Sequence, residues 1–285
     1  RFSGSLEALP GASAYNPRPY AGTIAFPEGF DLTLGGAGNM TSLRLGSDDD
    51  CGYVFGDIVI HEGGLLEIDG NPMREDFFGG AASITADAVD VRTGGVLRAS
   101  ALGFDIGRSA PGNRGTPSAS GGAHGGAGGG SALSYGSVVE PLNLGSGGSA
   151  GAGAGAVILT VAGRLTADGL IESCAPDLTS SSLYGGGAGG TLHVVAGHLA
   201  GAGTFLADGG KGVRNGGGGA VGDDRQFRAR HAPDERLQLV GREAVRLLRR
   251  LGDHDRRGGL AAARQHEAGR FRRRTVPASR VARHV

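Results

Sequence analysis

The chain has no tryptophan, one lysine (Lys211) among its 28 basic residues, and aromatic side chains at only 5% of positions. Rings this scarce exclude a thick core of the usual kind, so any fold must be built on Val, Ile, Leu and Ala. The two cysteines, Cys51 and Cys174, lie far apart and match no metal-ligand spacing. They read as two buried thiols, with one disulfide as the alternative outside the cell. No apolar run approaches the ~20 residues of a membrane-spanning helix, so no transmembrane segment is expected. The first residue is Arg1, with no initiator Met and no charged-then-apolar leader. The chain therefore reads as a processed or truncated fragment, which leaves secretion open.

What is abundant is glycine, 58 of 285 residues, beside 11 prolines. Without a strict three-residue period or abundant proline, this excludes a collagen triple helix. It leaves either disorder or a repetitive β architecture with a thin aliphatic core. The net charge of zero conceals a division. Residues 1–222 carry 11 basic and 20 acidic side chains, and residues 223–285 carry 17 and 8. Such a split marks two regions of different origin or task. The Arg-over-Lys skew points to a GC-rich genome rather than to a binding function.

Internal repetition decides the fold. Three segments share one pattern: SITADAVDVRTGGVLRAS (83–100), AVILTVAGRLTADGLIES (156–173) and TLHVVAGHLAGAGTFLAD (191–208). The second and third align at an offset of 34, which sets Gly163 on Gly197, Leu165 on Leu199 and Ile171 on Phe205. The first fits the second at an offset of 74, with Val91 over Leu165 and Leu97 over Ile171. DIVIHEGGLLEIDG (57–70) is a weaker relative. Each unit predicts a short strand, a glycine-centred turn and another short strand, because Val157, Leu159 and Val161 alternate along one pleated face. No unit can bury its apolar face alone, but stacked units can, and stacking also pairs their backbone edges.

Between the units run APGNRGTPSASGGAHGGAGGGS (110–131), LGSGGSAGAGAGA (144–156) and LYGGGAGG (183–190). They recur before each strand pair and predict long, partly mobile loops projecting from one edge. The ordered set ITADAVDVRTGGVLRASALGF, APGN, GGAHGGAGG, YGSVVEPLNLGSGG, GAVILTVAGRLTADGLIES and GGGAGGTLHVVAGHLAGAGTFLADGG resembles a glycine-rich repeat of very large surface and extracellular proteins of bacteria and some protists. The likeness covers about 57–222. It departs at ASALGF and ESCAPD. It implies an adhesin-type parallel β-helix with no catalytic residues to carry over. The expected fold is therefore all-β, a parallel β-helix or β-solenoid with long glycine-rich loops. The expected parts are an N-terminal β-rich cap or preceding repeat (1–56), the repeats (57–222) and a non-homologous basic tail (223–285), helical or disordered.

The tail begins where the pattern calls for another apolar strand. Leu237, Val240, Ala244, Leu247 and Leu251 sit at helical spacing, with Asp234 placed to cap a helix over 234–251. A disordered basic tail for nucleic acid or lipid headgroups is a second reading. The third, which we favour, is an off-frame product of GC-rich DNA, because the switch falls inside a repeat. Resequencing the coding DNA decides it: an intact frame, with no glycine-rich continuation in a neighbouring frame, ends that reading.

Motifs for chemistry are few. GGGAGG (185–190) meets the G-x-G-x-x-G spacing but precedes TLHVV, a strand, where a dinucleotide site needs a helix. GGSAG (147–151) has the nucleophile-elbow spacing without the strand before and helix after. Asp48, Asp49 and Asp50, with Asp57 nearby, are candidate oxygen ligands for Ca²⁺, set against a plain solvated acidic loop. Asn39-Met40-Thr41 is an N-glycosylation sequon, relevant in a secreted eukaryotic product. His193 and His198 are expected on opposite faces of a strand. His124 has no evident partner. Asp168 and Asp208 come near one another under the 34-residue offset.

The sequence thus predicts a structural or adhesive module of a secreted or cell-surface repeat protein, not an enzyme. Its partner would be a surface ligand, glycan or matrix. Nucleic acid is not expected unless the tail is genuine. The alternative is a polysaccharide-active lyase or hydrolase, which needs carboxylates or Ca²⁺ with a basic residue converging on stacked strands.

Overall fold

The computed structural model describes residues 5–6, 8, 21–22, 24–47, 52–72, 79–110, 120–130, 133–137, 140–179, 185–222 and 238–239. All belong to the first of two compact units, Arg1–Val245; the second, Arg246–Val285, lies outside the described residues. The described residues are all-β, with no helix among them.

The strands in chain order begin with β1 (Ser5–Leu6), β2 (Phe30–Leu34), β3 (Ser42–Leu45), β4 (Gly52–Ile60) and β5 (Leu65–Ile68). Then come β6 (Gly70–Asn71), β7 (Gly80–Ala81), β8 (Ser83–Val91), β9 (Val96–Arg98) and β10 (Ala156–Ala167). The last are β11 (Leu170–Glu172), β12 (Thr191–Ala200), β13 (Thr204–Leu206), β14 (Ala220–Gly222) and β15 (Gln238–Leu239). Two sheets result, one in the order β1-β3-β5-β9-β11-β13-β15 and the other β14-β12-β10-β8-β4-β2, beside a small antiparallel β6–β7 pair. Every pairing within the two large sheets is parallel. From β2 onward, β6 and β7 apart, the chain alternates between the sheets, each strand lying beside its predecessor in the same sheet.

Parallel register stacks like positions. In the short-strand sheet, Leu43, Leu66, Leu97, Ile171 and Phe205 follow one another across β3, β5, β9, β11 and β13, all buried. In the long-strand sheet the inward rows are Tyr53–Ile84–Leu159–Val194 and Phe55–Ala86–Val161–Ala196. A third row runs Ile58–Val89–Leu165–Leu199. These rows form one hydrophobic core. Alternation along each strand decides the direction, since successive side chains leave a pleat on opposite faces.

Register also corrects the sequence alignment. β4–β5 and β8–β9 pair without a gap at an offset of 31, from Gly52↔Ser83 to Glu67↔Arg98, so the weaker relative is a full repeat. Its strand begins at Gly52, so the expected boundary after residue 56 falls inside β4. Between β10 and β12 the offset of 34 holds from Arg164↔His198 onward, but Ala156–Val161 pair at 35. The extra residue is absorbed by a bulge between Val161 and Arg164, which bends a strand without changing its inward set. Likewise Val91 pairs with Ala167 rather than Leu165, while Leu97 does pair with Ile171. The turn after β8 is two residues longer than the turn after β10. Its Gly94, like Gly63 one repeat earlier, has a positive φ (78° and 72°) that an L side chain adopts at a cost. Those two turns also stack, Gly63 N–H donating to the Gly94 carbonyl at 3.1 Å.

The glycine stretches are the main departure from expectation. Their described residues do not project as free loops. The connections β9–β10, β11–β12 and β13–β14 run side by side as a layer, largely buried and joined by backbone hydrogen bonds. Gly103 N–H donates to Gly153 O, Ala154 N–H to Ala188 O, Gly189 N–H to Gly217 O and Gly217 N–H to Gly122 O, at 2.8–3.0 Å. The approach is so close that a Cβ on Gly187 would lie 1.8 Å from the Ala152 carbonyl oxygen, and one on Gly216 1.7 Å from that of Gly187. Glycine is used here because backbone must touch backbone, and satisfied amides make the burial affordable in energy. Residues 111–119, 131–132, 138–139 and 180–184 lie outside the described residues.

Just before the tail, β14 pairs with Thr191–His193, continuing the long-strand sheet. Gln238–Leu239, inside the stretch with helical spacing, is a strand pairing with Thr204–Phe205. At these two residues the helix expectation is therefore wrong. The remainder of 223–285 lies outside the described residues.

Candidate functional site

Two polar groupings stand out against this aliphatic and glycine background. The first is a ladder on the outer face of the short-strand sheet, where Arg44, Glu67, Arg98 and Glu172 occupy one row. Glu67 accepts from Arg44 Nη2 at 2.8 Å and from Arg98 Nη2 at 2.7 Å, with its side chain 8% exposed. Burial pushes its pKa up. The hydrogen bonds and charges of Arg44, and then of Arg98, outweigh that, leaving it below the ordinary carboxylate value. A carboxylate held ionised between two guanidiniums accepts no proton near neutral pH, so it suits cross-strand bracing rather than acid catalysis.

The second grouping lies in the glycine layer. His124 is fully buried, its Nδ1 3.1 Å from the Gly189 carbonyl oxygen and its ring 5.1 Å from that of Tyr135. Tyr135 OH donates to the Leu144 carbonyl and accepts from Ser146 Oγ at 3.0 Å. Thr191 Oγ1 donates to the Asn143 carbonyl at 2.7 Å. Burial pushes the His124 pKa down to about 4, against weaker support from the Gly189 and Gly190 backbone. Burial likewise raises the Tyr135 phenol well above its usual value. Both are neutral at pH 7. Among the described residues, His124 has no carboxylate partner of the kind that orients a catalytic base.

Asp48, Asp49 and Asp50 lie outside the described residues, as does Cys51. Asp57 is exposed on β4, and its backbone N–H donates to Asp31 Oδ1 at 2.9 Å. No group of three or more His, Cys, Asp or Glu suited to a metal occurs among the described residues. Asn39 is half-buried in the β2–β3 turn, where Nδ2 donates to Gly35 O at 3.0 Å. Asp168 and Asp208 do not meet. Asp168 Oδ1 accepts from Ala202 N–H at 2.9 Å, and Asp208 N–H donates to Cys174 Sγ at 3.4 Å. Each is a contact across a 34-residue step, a stacking device legible only once the register is known. Cys174 is a free thiol, and burial raises its pKa to about 11.

GGGAGG is part of the buried glycine layer and leads into β12, so it opens no helix. Ser149 of GGSAG has a buried Oγ with no partner, hence no base to activate it. His193 and His198 do not take opposite faces. An irregularity leaves Gly197 and His198 both exposed between Ala196 and Leu199, which places His198 on the outer face with His193. About 16 Å of strand still separates them, too far for a shared ion. Both ring nitrogens of His193 are buried without partners.

Comparison of the chain with family models, with curated proteins and with solved structures finds no match.

Proposed function

We propose that the chain is a β-solenoid module of a secreted or cell-surface repeat protein, serving a structural or adhesive role rather than a catalytic one. The observation that carries this reading is the unbroken inward row Leu43–Leu66–Leu97–Ile171–Phe205, matched by rows in the facing sheet. In this reading each strand pair is one turn of a coil, and each turn is covered by the next. Such a body extends by repetition, and its outer rows repeat at the strand spacing of about 4.8 Å, a surface suited to an extended ligand. On the short-strand sheet Glu67 braces Arg44 and Arg98 across three strands, and Lys211 pairs with Asp177 between two connections. The partner in this reading is a glycan or matrix component.

The test is direct. The purified chain is applied to arrays of acidic and neutral glycans and matrix proteins, and the same glycans are assayed for chain cleavage. Saturable retention without cleavage supports the proposal. Release of shortened or unsaturated products supports a polysaccharide-active enzyme instead and overturns it.

A further inference from the structure

His124 belongs to neither the hydrophobic core nor the charged ladder, yet it is 0% exposed at the heart of the glycine layer. The 120–130 segment docks there through Gly122 N–H to Gly186 O at 2.8 Å, Gly126 N–H to Gly218 O at 2.9 Å and Gly129 N–H to Asn215 O at 2.8 Å. Tyr135 closes over it, its backbone N–H donating to His124 O at 3.0 Å. A carbonyl oxygen only accepts, so the Nδ1 that faces Gly189 O carries the hydrogen. That leaves Nε2 as the bare nitrogen, and it is buried with no partner.

A proton arriving on Nε2 would create a cation with nothing to receive it. From its own segment the ring faces Tyr135, and Gly136 would bring a Cβ to within 3.2 Å of Nε2. From the β11–β12 connection it faces the backbone of Gly189 and Gly190. Ser146 and Asn143, from the β9–β10 connection, are neutral; Ser146 bonds Tyr135, and Asn143 approaches Gly136. Tyr135 is the only titratable group in this set, and burial keeps it protonated. Among the described residues, no charged side chain shifts His124.

We propose that His124 is an acid-operated latch: neutral, it locks the 120–130 segment into the glycine layer, and protonated at Nε2, it releases that segment while the two sheets stay intact. The inward rows of both sheets are apolar; because β12 carries His193, whose ring nitrogens are also buried without partners, β4 and β8 are the strands on which a local response should be absent. The direction follows from linkage. Burial depresses the histidine in the docked state to about 4, so docking is fully favoured above the ordinary value of about 6.5 and weakens as pH falls toward 4. Between pH 7.5 and pH 5 the opening constant rises about 30-fold.

Hydrogen exchange of the full chain, corrected for the intrinsic pH dependence of the chemical step, reads this out peptide by peptide. Protection across 120–130 is expected to fall about 30-fold between pH 7.5 and 5, with β4 and β8 unchanged. In His124→Gln, which keeps an N–H donor for Gly189 O but cannot titrate, the fall disappears. Unchanged protection in the wild type overturns the latch. So does an equal fall in the variant, or an equal loss at β4 and β8. If the variant does not fold, a wild-type NMR titration of the His124 ring decides: a midpoint near 4 supports the latch, and one above 6 overturns it.

Discussion

Ile171 of β11 pairs in parallel register with Phe205 of β13, and both side chains point into the core, at 0% and 6% exposure. They are 34 residues apart and hold the same place in two successive strand pairs. Each therefore shields the other from water, a role that local sequence could not fill. Ile171→Ala is expected to cost about 3 kcal/mol in a denaturant titration, the usual range for emptying a packed aliphatic site. Thr160→Ala, on the exposed outer face of β10, is expected to change stability by less than about 0.5 kcal/mol.

The glycine layer predicts a sharp contrast between two glycines of one segment class. Gly187→Ala places a methyl 1.8 Å from the Ala152 carbonyl oxygen, and backbone cannot step aside as a side chain can. A loss of about 2–3 kcal/mol is expected. Gly218→Ala meets nothing within 4 Å and is expected to be neutral within about 0.5 kcal/mol. Thermal melting of the two variants side by side measures the difference.

Glu67 makes stability depend on pH. Its folded pKa is depressed, so its contribution is present above the unfolded value of about 4.3 and is lost as pH falls through the folded value. Glu67→Gln is expected to cost about 1–2 kcal/mol at pH 7, limited because Arg44 and Arg98 remain partly solvated. The gap between variant and wild type should narrow as pH falls below about 4.3, which denaturation curves at pH 7 and pH 3 will test.

Cys174 is expected to react slowly. Burial holds its pKa at about 11, so little thiolate exists at pH 8. Modification by an aromatic disulfide reagent at that pH should lag at least tenfold behind the same chain in denaturant.

The strands were legible because their signal is local. Alternation in AVILTV and HVVA fixes which side chains face inward, and recurrence of that pattern announces stacking. Register was only half legible. The spacing from Leu165 to Ile171 matches that from Leu199 to Phe205, and the structure pairs both. The turn after β8 is two residues longer than the turn after β10, so an ungapped match anchored on Leu97 and Ile171 sets Val91 on Leu165 instead of on its partner Ala167. The order of the glycine stretches is illegible for a different reason. A run of Gly, Ser and Ala carries no hydrophobic period, so composition suggests a free loop. Its order comes from amide-to-carbonyl pairing between segments such as Ala154 and Ala188, which leaves no trace in residue type. His124 was visible as an isolated histidine, but Gly189, its partner, is 65 positions away.

The account rests on strand pairs that stack in parallel with glycine connections folded into the same body. Residue-resolved amide exchange at pH 7.5 tests it most directly. Amides of Ala154, Ala188, Gly189 and Gly217 are predicted to be protected to within about tenfold of those in β10 and β12. Exchange of those four at free-chain rates, beside protected strands, would contradict it.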